Sequence, residues 1–163
     1  MTDTLPEIRA ILEASGHSFE VWDCDSDLAD TAMFCEHYGV LPEDSANTIL
    51  VRTKTGELRY AACILLATHR LDVNNVVRKK LNARKVSFAS ALETKENTGM
   101  EIGGVTALAL PNTLPLWVDS AVMERQFVIL GGGNRTSKLK VPVALLNDLP
   151  NIEFVEGLAK PIS

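Results

Sequence analysis

The stretch "NTILVRTKTGELRYAACILLA" (residues 47–67) decides the fold class. Two apolar runs, "NTILVR" and "LRYAACILLA", flank "TKTGE", whose glycine suits the turn of a hairpin. Hairpin-linked strands are antiparallel neighbours, yet helical patterns also interleave with strands along the chain. That combination predicts an α+β fold, with a mixed, partly barrel-like β-sheet surrounded by helices, rather than a doubly wound parallel sheet.

Upstream, Thr4 and Glu7 have capping-box spacing around Pro6, Ile8, Ile11 and Leu12 mark an apolar helix face, and Gly16 ends it. "HSFEVWD" alternates as a strand with Phe19 and Val21 on one side. A second helix is expected over about 27–38, closed by Gly39. Downstream, Asp72 is expected to cap a helix that turns Val73, Val76, Val77 and Leu81 inward. "KVSFA" reads as a short strand; Ser90 and Glu93 form a capping box, with Gly99 as the stop. "LPLWVD" and "QFVILG" read as buried strands around a turn opened by Asp119. "TSKLKV" is another strand, Pro142 starts a helix, and "IEFVEGLA" ends the chain.

No linker, repeat or low-complexity tract divides the 163 residues, so one domain over 1–163 is expected. No apolar run approaches the roughly 20 residues of a membrane helix. The N-terminus lacks a secretory pattern, and three scattered cysteines suggest no disulfide framework, so a cytoplasmic protein with reduced thiols is expected. A net charge of −5 argues against broad coating of nucleic-acid phosphate, although not against gripping one end of it. The run "VRKKLNARK" is either a solvated helix face or a phosphate contact.

The usual catalytic signatures are missing. There is neither a GxGxxG turn nor a P-loop, and "GGGNRT" (131–136) joins two strands instead of opening a helix. The three histidines are far apart and no CxxC or HxxxH spacing occurs, so no metal is expected. Cys63, in an apolar strand, reads as a core thiol; Cys35 and His37, two apart on a helix, point different ways. Asp119 is a helix cap or a functional residue, and Arg135 a turn anchor or a functional residue. Gly103 and Gly104 in "EIGGV" could present main-chain N–H groups to an oxyanion, or could simply mark a turn.

Read together, "LDVNNVVRKKLNARKVSFASALETKENTGMEIGGV", "LPLWVDSAVM" and "VILGGGNRTSKLKV" resemble the YbaK/EbsC family, which includes editing domains associated with prolyl-tRNA synthetase. The likeness rests on Leu71–Asp72, Thr98–Gly99, Gly103–Gly104, Val118–Asp119 and the glycine-rich turn, and it spans nearly the whole chain. It implies a trans-acting aminoacyl-tRNA deacylase that removes a wrongly attached small amino acid. The implied partner is the tRNA 3′ end, with an aminoacyl-tRNA synthetase as a second one, and no cofactor or membrane. Selectivity by binding alone is poor for small apolar side chains, which is why a second hydrolytic site is useful. By this resemblance Gly103, Gly104, Asn47 and Asp119 form the catalytic set, and Thr98, Gly99, Ala107, Gly132 and Arg135 bind substrate.

Two positions depart from the family pattern: Asn47 stands where a lysine is usual, and Ala107 where the loop has a proline. Asn47 can donate a hydrogen bond but carries no charge. No other cation is an obvious substitute, since Arg52 should face the other side of the strand and Lys54 sits at the hairpin tip. The departures leave open a catalytically silent binder of tRNA or ligand with the same fold. A protein acting on another nucleotide-like ester is a third reading.

Overall fold

The structure is a computed structural model and describes residues 3–162. In chain order it contains α1 (Pro6–Ala14), β1 (Glu20–Asp23), α2 (Thr31–Tyr38), β2 (Ala46–Thr53), β3 (Tyr60–Leu66) and β4 (His69–Leu71). There follow α3 (Arg78–Lys80), β5 (Val86–Phe88), α4 (Ala91–Thr98), β6 (Leu116–Asp119), β7 (Phe127–Gly131), β8 (Ser137–Pro142), β9 (Ile152–Val155) and β10 (Ala159–Pro161).

The hairpin expected at 47–67 forms, with β2 and β3 antiparallel from Ala46 opposite Leu66 to Arg52 opposite Tyr60. It sits inside a five-stranded mixed sheet of order β5-β2-β3-β6-β9, in which β3, β6 and β9 run parallel. A three-stranded antiparallel sheet, β1-β8-β7, packs against it, and β4 pairs with β10. One parallel bridge, Ser45 to Ile129, joins the two larger sheets. The curl toward a barrel goes no further, because the sheets do not close on each other.

Alternation along β3 explains this layering. Ala62, Ile64 and Leu66 enter the core between the sheets, with Val128, Leu130, Leu139 and Val141 opposite and Ile8 and Leu12 of α1 covering one end. Ala61, Cys63 and Leu65 point the other way, against Leu71, Val77, Leu81 and Leu158. A strand covered on both faces must be apolar at every position, and each large side chain so buried contributes about 1.5–3 kcal/mol. A third cluster packs Phe34 and Cys35 of α2 on Ile129.

Local capping corrects several boundaries. Thr4 does not cap α1, whose N-cap is Leu5; the Thr4 hydroxyl donates instead to the Gly132 carbonyl at 2.6 Å. The helix expected over 27–38 is split, because the Asp25 side chain takes the Asp27 N–H and closes a separate tight turn at Ser26–Leu28. Asp72 makes no cap bond. Its carboxylate pairs with Lys160 at 3.2 Å, and Val73–Val77 winds wide, with the Val77 N–H reaching back to the Asp72 carbonyl. Three β-branched valines in that turn crowd a regular α-helix. After Pro142 the chain makes tight turns over Val143–Asp148, not a regular helix. The Ser90–Glu93 capping box and the Gly39 and Gly99 stops are as expected. No helix among the described residues is long and apolar enough to cross a membrane.

Candidate active site

β5 pairs with β2 only from Val51 to Thr53, and the Ala89 N–H bonded to the Leu50 carbonyl (2.9 Å) marks its end. Beyond that point, among the described residues, no strand lies beside the edge of β2 facing away from β3 until β7 arrives at the Ser45–Ile129 bridge. A cavity of about 370 Å³ occupies the gap. Its size lies in the range of ~300–1,000 Å³ typical of small-molecule sites. Ala46, Ile49, Leu50, Ala89, Val105, Ile129 and Leu130 make its apolar wall; Thr31, Asn47, Asp30 and Lys138 bring polarity to it. Phe88 and Ile102 also line it while remaining 56% and 51% exposed, so they stand at the mouth.

Of the residues singled out in the sequence, Asn47 and Gly103 line this cavity. The amide oxygen of Asn47 accepts from the Thr31 hydroxyl, and both residues also line a second cavity of about 440 Å³ beside α2. Gly104 is elsewhere: its N–H is spent on the Glu101 carbonyl (2.8 Å) and its carbonyl accepts from Gly133 (2.6 Å). The paired amides therefore do not form a two-donor pocket. The glycines serve close packing instead. A Cβ on Gly104 would lie 2.2 Å from the Asn134 carbonyl oxygen, and one on Gly103 would lie 2.1 Å from the Arg135 guanidinium.

The remaining candidates lie outside the cavity lining. Asp119 is 2% exposed, and its carboxylate accepts the Ala159 N–H at 3.1 Å instead of capping the turn after it. The Thr98 hydroxyl donates to Thr94 and accepts from Met100, and Gly99 ends α4 with φ +73°. Ala107 is packed in the core between the sheets. Gly132 donates to the Ser137 carbonyl. Arg135 is a clamp: it donates to the Ser26 carbonyl (2.7 and 3.1 Å), the Ile102 carbonyl (2.9 Å) and Asp30 (3.3 Å). It thereby ties the chain before α2 to the 101–104 turn on which Gly103 sits.

Lys138 is the residue that sequence reasoning missed: it is a cation lining the same cavity as Asn47. It is 6% exposed and lines the cavity. Its ammonium donates to the carbonyls of Ala29 (2.6 Å) and Gly103 (3.2 Å) and lies 5.2 Å from the Phe34 ring centre. Burial lowers its pKa below the ordinary lysine value, and the nearby Arg135 adds to that, while Asp30 opposes it. Strand alternation in "TSKLKV" puts Lys138 and Lys140 on one face. Lys140 is only part-buried, but the chain leading into α2 folds over Lys138. The signal was tertiary, and no periodicity carries it.

Other groups are structural. Arg52 and the Tyr60 hydroxyl both donate to Glu93, which also accepts the Ser90 N–H. The Tyr60 bond first, then the Ser90 bond and the Arg52 charge, hold that carboxyl down at about 2. Burial pushes the Cys63 thiol up to about 12, so it stays protonated in the core. In the basic run, Lys80 is committed to Glu153 and to the face of Trp117.

Residues 25–149 match the aminoacyl-tRNA editing domain family. Among solved structures, the hypothetical protein APE2540 superposes with a TM-score of 0.80 at 23% identity, covering 94% of this chain and 99% of that one. A proposed trans-editing enzyme for prolyl-tRNA synthetase superposes with a TM-score of 0.75 at 18% identity, covering 93% and 96%. A proposed signal transduction protein from Marinobacter aquaeolei VT8 gives 0.60 at 17% identity, with 95% of this chain covering 31% of that larger one. At these identities the superpositions establish the fold.

Proposed function

The chain belongs to the aminoacyl-tRNA editing domain family, and from that premise we propose that it is a trans-acting deacylase for tRNA carrying a wrong small amino acid. The observation that carries this reading is the cavity at the open edge of β2, where Asn47 and Gly103 meet. A pocket of this size with apolar depth suits a small aminoacyl group, and its exposed Phe88 offers a ring on which a terminal base can stack. The reaction is ester hydrolysis. Water's oxygen bonds to the carbonyl carbon, and the carbonyl electron pair moves onto its oxygen. That pair then returns as the bond to the ribose oxygen breaks. The ribose oxygen departs with a proton from the water, and the amino acid leaves as a carboxylate with its second proton released to solvent.

Asn47 and Gly103 are the proposed contacts to the ester. Arg135, Gly104 and Gly132 act behind them by fixing the turns at 101–104 and 131–133, and Thr98 and Gly99 by ending α4 beside that loop. Positioning of this kind can contribute much of a barrier reduction without a side-chain nucleophile. A cytoplasmic location and membership of the YbaK/EbsC branch are part of the same proposal.

A second reading, a silent binder of tRNA or ligand, is favoured by Asn47, whose amide oxygen is already occupied by Thr31. A panel of mischarged tRNAs, including alanyl- and cysteinyl-tRNA(Pro), separates the two. Release of amino acid above the buffer rate for at least one is expected; no release from any, together with retained tRNA binding, favours the silent binder.

A further inference from the structure

Lys138 has a feature that packing does not explain. A buried cation without a counter-ion costs several kcal/mol relative to water, and among the described residues no carboxylate lies within salt-bridge distance of it. Its two hydrogen bonds go to main-chain carbonyls, which carry no formal charge to balance the ammonium. Of the three donors on an ammonium, these bonds use two, and the Phe34 face supplies a further, weaker attraction. Among the described residues Lys138 is also the only cation lining the cavity, whose wall is otherwise largely apolar apart from neutral polar groups and Asp30, the latter paired with Arg135. The other nearby cation, Arg135, is committed to the Ser26 and Ile102 carbonyls and to Asp30.

A charge fixed beside a poorly solvated cavity acts more strongly on a bound group than one on the surface. The bond from Lys138 to the Gly103 carbonyl further places that charge next to a residue proposed to contact the ester. We propose that Lys138 supplies the positive charge that stabilises the anionic oxygen formed when water adds to the ester carbonyl. This inference rests on the deacylase reading of the same cavity and goes beyond it by naming the electrostatic residue. Since Asn47 lines the same cavity, a lysine introduced there brings a charge to the same space from another wall.

The test compares the wild type with Lys138→Gln, which keeps N–H donors for the two carbonyls while removing the charge, and with Asn47→Lys/Lys138→Gln. Two aminoacyl-adenosine mimics are used as probes: a neutral amide, and a phosphonate bearing a negative tetrahedral centre. Lys138→Gln should lose on the order of 10²-fold in affinity for the phosphonate and little for the amide, with kcat for ester hydrolysis falling by a similar factor and KM nearly constant. Adding Asn47→Lys should restore part of both. Equal loss on the two mimics would show a clamp only and overturn the proposal. So would a loss that follows a 5′-phosphate added to either mimic, or no loss at all. Lys138→Met, with its melting temperature recorded, replaces Lys138→Gln should the latter fold poorly. If the wild type cleaves no ester, the deacylase reading fails, while the two mimics still decide the role of Lys138.

Discussion

Asp119 ends β6 beneath β10, and Lys138 lies on β8 beside the gap between β2 and β7. Both are nearly inaccessible, at 2% and 6% exposure, and both bond to main chain. Their surroundings differ. At Asp119 the strands are paired: β6 with β9 on one side and β3 on the other, and one carboxylate oxygen accepts the Ala159 N–H. At Lys138 the edge of β2 is left unpaired and a void remains. Burial in a closed seam commits Asp119 to its main-chain partner; on the proposal above, burial beside an open seam leaves Lys138 to act on whatever enters. The comparison predicts that damage to the closed seam reads out as stability, and damage to the open seam as activity, unless it breaks the turns that frame the cavity.

The largest stability effect should come from those turns. Gly104→Ala places a methyl 2.2 Å from the Asn134 carbonyl oxygen, which is main chain and cannot rotate away. The 101–104 and 131–134 turns would have to separate, breaking the Gly133 N–H bond to the Gly104 carbonyl. A loss of about 2–3 kcal/mol is expected in urea denaturation. A variant as stable as the wild type would show that the frame of the cavity is loose and that the open seam is not preorganised.

Asp119→Ala is the counterpart at the closed seam. It leaves the buried Ala159 N–H without its acceptor, at a cost of about 1–3 kcal/mol. Melting should show this loss, and fraying of the β4–β10 pair should appear as faster amide exchange at Ala159, Lys160 and His69–Leu71. If deacylation fell further than the unfolded fraction accounts for, Asp119 would belong to the reaction and the contrast between the seams would break.

Much of this contrast was legible in the sequence, and the illegible part has a physical cause. The 47–67 hairpin, the Ser90–Glu93 box and the left-handed stops at Gly39 and Gly99 depend on residues close in the chain, and they appear where expected. Asn47 and Gly103 were singled out and do share a cavity. Lys138 was invisible because Ala29 and Phe34, which cover it, are more than a hundred residues away in sequence. Asp119 was ambiguous because the N–H it satisfies arrives from β10, 40 residues later. Period and spacing report which face of a strand is turned inward; they do not report whether a neighbour fills the space there.

Glu93 tethers α4, which borders the mouth of the cavity, to β2 and β3 through Arg52 and Tyr60. Its folded-state pKa is depressed from 4.5 to about 2. A depressed carboxyl stabilises the fold fully above its unfolded value and loses that contribution as pH falls toward its folded value. The melting temperature of the wild type should therefore decline between pH 4.5 and about 2 more steeply than that of Glu93→Gln. Parallel curves for the two proteins would mean that the tether is not made in solution, which would leave the rim beside Phe88 free to move.

The smallest effect is expected at Thr48, and it probes the wall of the cavity most directly. Its hydroxyl is buried beside the open seam and has no hydrogen-bond partner among the described residues. An unpaired buried hydroxyl has lost its water and gained nothing in return. Thr48→Val keeps the shape and removes that group, so stability should be unchanged or higher by up to about 1 kcal/mol in urea denaturation. A clear loss of stability would reveal a partner, such as a bound water, and would make this wall as closed as the one around Asp119. Unchanged stability combined with weaker binding of the aminoacyl-adenosine mimics would instead show that the hydroxyl finds its partner in the ligand.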